Sequence, residues 1–306
     1  MDFTASERER FNFWHGQMRH MVYEDSECCR SQIEAVLDQL SSLNYSAKLV
    51  PEPVAADLMV VCCRLVPLRH DKLVGKVCKL IYQLGSWQQL VIVSYLGELM
   101  EYVVSALASS DHQIFPDILT ALGTLVYENC SKVSCFHERL VGKHGLLPRL
   151  IMSSEENIFR GAVQCIENLC LKNESDGVYL TEELQESCLV TMLTVLRTIE
   201  SRKMDDVVRC KVLCMALRGT QNVVMATKNL PSDLLGQYLA VLKHYIFYGV
   251  TGQRTDIPES LYPTPLSQYD PVAGASKSDS HKQANADKPQ KQSGAKGQNA
   301  SESGKK

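Results

Sequence analysis

Apolar residues recur at three- and four-residue intervals through almost all of the first 250 positions, and no stretch alternates as a half-buried strand does. Ile33, Val36, Leu37 and Leu40 form one stripe, and Ser26 is placed to cap the helix that carries them to Leu43. Pro51 and Pro53 break the chain before a helix from Ala55 to Leu65, which Pro67 ends. Asp71 opens a third helix, with Leu73, Val77, Leu80, Ile81 and Leu84 as its buried stripe. The spacing then predicts one long helix from about Gln88 to Ala108. Pro116 falls in the first turn of the next helix, where a missing N–H costs nothing, and Pro148 sits near the start of one ending at Met152. Thr181 starts another, and Pro231 starts the last, which ends at Gly249. Every proline before residue 250 thus lies where a helix begins or stops.

The pattern repeats. A shift of 44 residues lays Ser109-Ser110 on Ser153-Ser154, Ile114-Phe115 on Ile158-Phe159, Leu122 on Ile166 and Leu125 on Leu169. Val103, Ala106 and Leu107 fall on Leu147, Leu150 and Ile151, so the preceding helix repeats with the same gap. A looser copy lies 41 residues upstream, where Val77, Leu80, Ile81 and Leu84 match Ile118, Ala121, Leu122 and Leu125. Downstream, Val190–Leu196 and Val207–Leu217 keep the two-helix pattern with a longer loop. A two-helix unit of this length is the HEAT/armadillo period, about 40–47 residues. One hairpin cannot bury its apolar face alone, and a neighbour on each side makes the core continuous. The expected fold class is therefore all-α: an α-α superhelix, a HEAT/armadillo-like solenoid, with a disordered C-terminal tail.

Composition separates the tail from the body. Residues 1–250 are expected to hold the repeats; 251–270, with Pro258, Pro263 and Pro265, to be an extended segment that caps the last hairpin; and 271–306 to be a disordered linker or tail. Between Pro271 and Lys306 seven Lys face three acidic residues, so that stretch carries +4 and the remainder −7 of a net −3. An acidic body excludes a globally basic nucleic-acid binder, and a tail without Arg or aromatics lacks the means to stack on bases. No apolar run is long enough to cross a bilayer, and Met1–Arg10 has no apolar signal core, so a cytoplasmic or nuclear protein is expected, not a secreted one. Its 12 cysteines are then expected to be reduced thiols.

The segment from His144 to Leu150, continued by Ile158–Leu171 with Ala162, Val163 and Asn168-Leu169-Cys170-Leu171, resembles a consensus HEAT/armadillo unit. More narrowly, the chain resembles the N-terminal region of the HEAT repeat-containing protein 6 family. The likeness rests on Asn44-Tyr45-Ser46, Cys63–Leu68, Met204-Asp205-Asp206, and Leu261–Leu266 with Gln268-Tyr269-Asp270. It implies an α-solenoid with no established enzymatic activity. Members of that family are several times longer and continue past a polar linker into more repeats. This chain is accordingly expected to be a fragment, a short isoform or an incomplete gene model.

Candidate chemistry is sparse. Cys130, Cys135, His137 and His144 lie close in sequence, but without the paired C-x-x-C spacing of a structural zinc site, and are expected to be ordinary packed side chains. No G-x-S-x-G, Walker A or H-E-x-x-H pattern occurs, so neither a catalytic residue nor a cofactor is expected. In armadillo proteins of the importin-α type an Asn at the position of Asn168 holds a peptide backbone, with a Trp one turn earlier. Here that earlier residue is Gln164, and the equivalent of Asn168 one repeat upstream is Thr124. These three are the candidate partner-binding residues, and Thr264, before Pro265, is a candidate phosphorylation site. The expected function is a non-catalytic scaffold binding a protein partner on its concave face, lined by the second helix of each hairpin. The alternative is an importin-like transport receptor carrying a peptide or protein cargo.

Overall fold

The computed structural model describes residues 5–22, 30–45, 50–87, 92–175, 177–228 and 230–250. Among these residues the architecture is all-helical, and the only extended pairing is a single bridge between Lys172 and Val178. The helices are α1 (Ala5–Met21), α2 (Arg30–Ser41), α3 (Glu52–Leu65), α4 (Asp71–Tyr82), α5 (Leu96–Ser109) and α6 (Phe115–Val126). They continue with α7 (His137–Val141), α8 (Leu146–Leu150), α9 (Glu156–Leu169), α10 (Glu182–Thr198), α11 (Asp206–Ala226) and α12 (Ser232–Val250). Two compact units divide the chain, Met1–Lys243 and His244–Lys306.

Within the first unit, helices pack as hairpins: α1 on α2, α3 on α4, α5 on α6, α8 on α9 and α10 on α11. The second members also pack in sequence, α2 on α4, α4 on α6, α6 on α9 and α9 on α11, which makes one layer. The first members make the other: α1 meets α3, α3 meets α5, the Arg139–Glu101 ion pair (2.8 Å) ties α7 to α5, and α10 meets α7. Several positions matched by the 44-residue shift are buried alike, Phe115 with Phe159, Leu122 with Ile166 and Leu125 with Leu169. Side-chain bonds between hairpins include Arg64 to Glu98, 34 residues apart, and Arg218 to Glu167, 51 apart. Each such bond reaches about one repeat back.

Many of these bonds satisfy carbonyls that a helix end or loop leaves open. Gln83 donates to Ser41 O, the Tyr102 hydroxyl to Val66 O, Ser187 to Val141 O, and Arg202 to Ile151 O and Ser153 O. A neighbouring hairpin therefore supplies the cap that local sequence lacks. Among α3 to α11, the N-cap side chain that accepts from its own helix is Asp205, from Val207 N at 2.8 Å and Val208 N at 3.4 Å. Thr181 does precede α10, but its hydroxyl makes no capping bond.

Three expectations change. The helix placed from Gln88 begins at Leu96, eight residues later. A π turn, Gln83–Trp87, carries α4 onward, and Tyr95 adopts a left-handed conformation (φ 57°) that stops a helix from running through. Glu52 of α3 accepts from Val93 N (3.0 Å), Ser94 N (2.8 Å) and the Ser94 hydroxyl (3.0 Å), holding this bend 42 residues from itself. The helix placed from Ala55 begins three residues earlier, with Pro53 in its first turn. The stretch treated as a polar N-terminus contains α1, whose narrow stripe of Phe11, Met18 and Met21 is buried. Ser26 and everything after Val250 lie outside the described residues.

Glu52→Ala is expected to cost about 1–2 kcal/mol by leaving two amides without an acceptor. Hydrogen exchange at Val93 and Ser94 is the direct check. Unchanged protection there would show that the bend does not depend on Glu52.

Candidate functional site

The layer formed by α4, α6, α9 and α11 carries a groove of about 860 Å³. Its floor is set by helical spacing. On α6, Pro116, Thr120 and Thr124 follow one another at four-residue steps, and on α9 so do Arg160, Gln164 and Asn168. On α11, Lys211, Met215 and Arg218 line the far wall. The near wall is the π turn with Gly85 and Ser86, where a Cβ on Gly85 would run into Thr124 Cγ2, so glycine permits the close approach.

The three residues singled out from sequence meet in this groove, each in a different state. Gln164 is exposed. The Thr124 hydroxyl donates to Thr120 O at 2.9 Å and lies 3.3 Å from Ser86 Oγ. Asn168 is only 9% exposed, and its Nδ2 donates to Gly123 O at 2.9 Å. A peptide clamp of the importin type needs that amide for the ligand, whereas here it joins α9 to α6. The same seam holds two thiol bonds, Cys130 Sγ to Asn168 O (2.9 Å) and Cys165 Sγ to Leu119 O (3.2 Å). Burial pushes Cys130 up to about 11 and Cys165 up to about 12, so both stay protonated donors.

The groove also holds residues that periodicity did not mark. Glu167, nearly buried, accepts from Arg218 Nε at 2.6 Å, and that carboxylate holds the guanidinium above its ordinary range. Arg160 donates to Asn157 Oδ1, Lys211 is exposed, and Tyr127 stands half out of the surface at the rim. The available signal was the polar stripe Lys211/Arg218 on α11, seven residues apart and so on one face. Chemically, the groove offers hydroxyls and a small-residue wall at one end and guanidinium and ammonium groups at the other. These are means of recognising an extended chain by hydrogen bonds and charge.

The sequence-adjacent thiols and imidazoles do not converge. Cys130 is buried in the α6–α9 seam, Cys135 and His144 are exposed, and His137 is buried with its Nε2 lacking a partner. Desolvation lowers the His137 pKa, which keeps the ring neutral. Among the described residues, no group of three His, Cys, Asp or Glu side chains is arranged to hold a metal ion. No described helix is long and apolar enough to cross a membrane. Thr264 lies outside the described residues. No family model matches the chain, and no solved structure matches it.

Proposed function

We propose that this chain is a non-catalytic α-solenoid scaffold of the HEAT/armadillo kind, and that its α4–α6–α9–α11 face binds an extended segment of a protein partner. The carrying observation is the groove itself, which crosses four successive helices of one layer and combines an exposed Gln164 with cationic Arg160 and Lys211. A stack of hairpins presents such a surface with little change from one repeat to the next, which suits a long, unstructured ligand. The reading includes a counterpart relationship to the N-terminal region of HEAT repeat-containing protein 6, carried by the sequence resemblance alone, and a place in the cytoplasm or nucleus.

The test is affinity purification of the full chain beside Gln164→Arg/Lys211→Glu, two exposed positions whose exchange leaves the core intact. Proteins enriched by the parent are expected to fall at least about tenfold with the variant, about 1.4 kcal/mol, and cross-links from the bound partner should map to Lys211. Undiminished recovery with a native circular dichroism spectrum would sink the proposal.

A further inference from the structure

The other helix layer carries a second groove, of about 610 Å³, between α8 and α10 with α7 at its rim. Its floor is apolar and open to solvent. Pro148, Ile151 and Met152 form one side and Val190 the other; Met152 is 65% exposed and Val190 49%. An exposed apolar side chain on its own is ordinary, but several along one groove mark surface kept free for another apolar surface.

The rim is mostly acidic. Glu138, Glu183 and Glu186 line this groove, and Glu182 joins Glu183 and Glu186 along the adjoining recess toward Leu230 and Pro231. All four are exposed and have no cationic partner among the described residues, with Lys143 the single cation lining the groove. Some carboxylates elsewhere in this unit carry ion pairs (Glu98 with Arg64, Glu101 with Arg139, Glu34 with Lys72 and Lys76) and others, such as exposed Glu128 and Glu155, do not; what sets this rim apart is that its unpaired carboxylates flank open apolar side chains. Favourable interaction with a helix N-terminus accounts for Glu182 and Glu183 in the first turn of α10. It does not account for Glu186, a turn further on, nor for the open Met152 and Val190.

We infer that the α8–α10 groove docks a basic amphipathic helix of a protein partner, its apolar face on Met152 and Val190 and its lysines or arginines against Glu138, Glu183 and Glu186. An apolar stripe flanked by unanswered carboxylates is complementary to a helix that carries apolar residues three and four apart between cations. The charge sign excludes the two other common basic-helix-like uses of such a face, since an anionic bilayer and a nucleic acid would both be repelled. This surface lies on the layer opposite the groove proposed to hold an extended segment, so either site can fail without the other.

The probe is a fluorescently labelled synthetic Leu/Lys peptide of about 18 residues with helical spacing, read by anisotropy against the full chain. Its controls are the same peptide with every Lys replaced by Glu, and one of equal composition with the spacing scrambled. The basic amphipathic peptide is expected to bind at least about tenfold tighter than either control, with affinity falling as salt rises. Glu183→Lys/Glu186→Lys and, separately, Val190→Lys should each weaken it by about tenfold; the milder Glu183→Gln/Glu186→Gln should weaken it less and flatten the salt dependence. Lys211→Glu, in the other groove, should leave it unchanged. Equal binding of the scrambled peptide, or binding indifferent to both glutamate variants, overturns the inference. So does a dimer in sedimentation that Val190→Lys dissolves, because a second copy would then be the occupant.

Discussion

Phe159→Ala is expected to remove about 3–5 kcal/mol of folding stability, the range for deleting a buried aromatic ring. Phe159 is fully buried at the start of α9, where it repeats Phe115 of α6 one unit on. Its ring is also a platform: the Arg202 guanidinium lies 3.8 Å from the ring centroid while its two terminal nitrogens donate to Ile151 O and Ser153 O, each at 2.5 Å. Removing the ring thus leaves a cavity and also loosens the arginine that closes the α8–α9 loop. The two losses are separable by a double-mutant cycle with Arg202→Ala, for which a coupling of about 0.5–2 kcal/mol is expected. Urea unfolding of the four proteins measures both. A total cost below about 1 kcal/mol would mean that the site collapses onto the gap or that Phe159 is not packed as described.

The next largest effect is expected at Asn129, where alanine should cost about 2–3 kcal/mol. Asn129 is wholly buried, and its Nδ2 donates to Ile92 O and Leu125 O, each at 3.1 Å, with Tyr127 O at 3.4 Å. One amide thereby satisfies carbonyls from the end of α6 and from the bend before α5, 37 residues away. An apolar replacement leaves those carbonyls dry and unpaired, the expensive half of a lost hydrogen bond. Leucine should therefore be no better than alanine, although it fills more space. Thermal unfolding of Asn129→Ala and Asn129→Leu is the measurement, and rescue by leucine would show that volume rather than hydrogen bonding decides the site.

What sequence made legible follows from where the information sits. Leu122, Leu125, Ile166 and Leu169 recur with one period on broad apolar faces, so α6, α9 and their mutual packing could be placed from spacing alone. In α1 the buried stripe is just Phe11, Met18 and Met21, and periodicity is drowned by the run of charges from Glu7 to Arg10 in its first turns. The start of α5 was missed for another reason. The residue that shapes the bend is Glu52, and nothing local to Val93 or Ser94 announces a partner 42 positions back. The groove shows the same division. The likeness to armadillo repeats, carried one repeat back by the 44-residue shift, pointed to Thr124, Gln164 and Asn168, but it gave no sign that the Asn168 amide bonds to Gly123, or that Glu167 and Arg218 pair across 51 residues.

The reach of these bonds also sets an order of events during synthesis. Because the side-chain bonds between hairpins named above look back about one repeat, α1 to α4 can close His15 on Asp57 and Lys76 on Glu34 before α9 has left the ribosome. Each new hairpin docks on a surface already complete behind it. The stretch still awaiting these partners during translation is then about one repeat long.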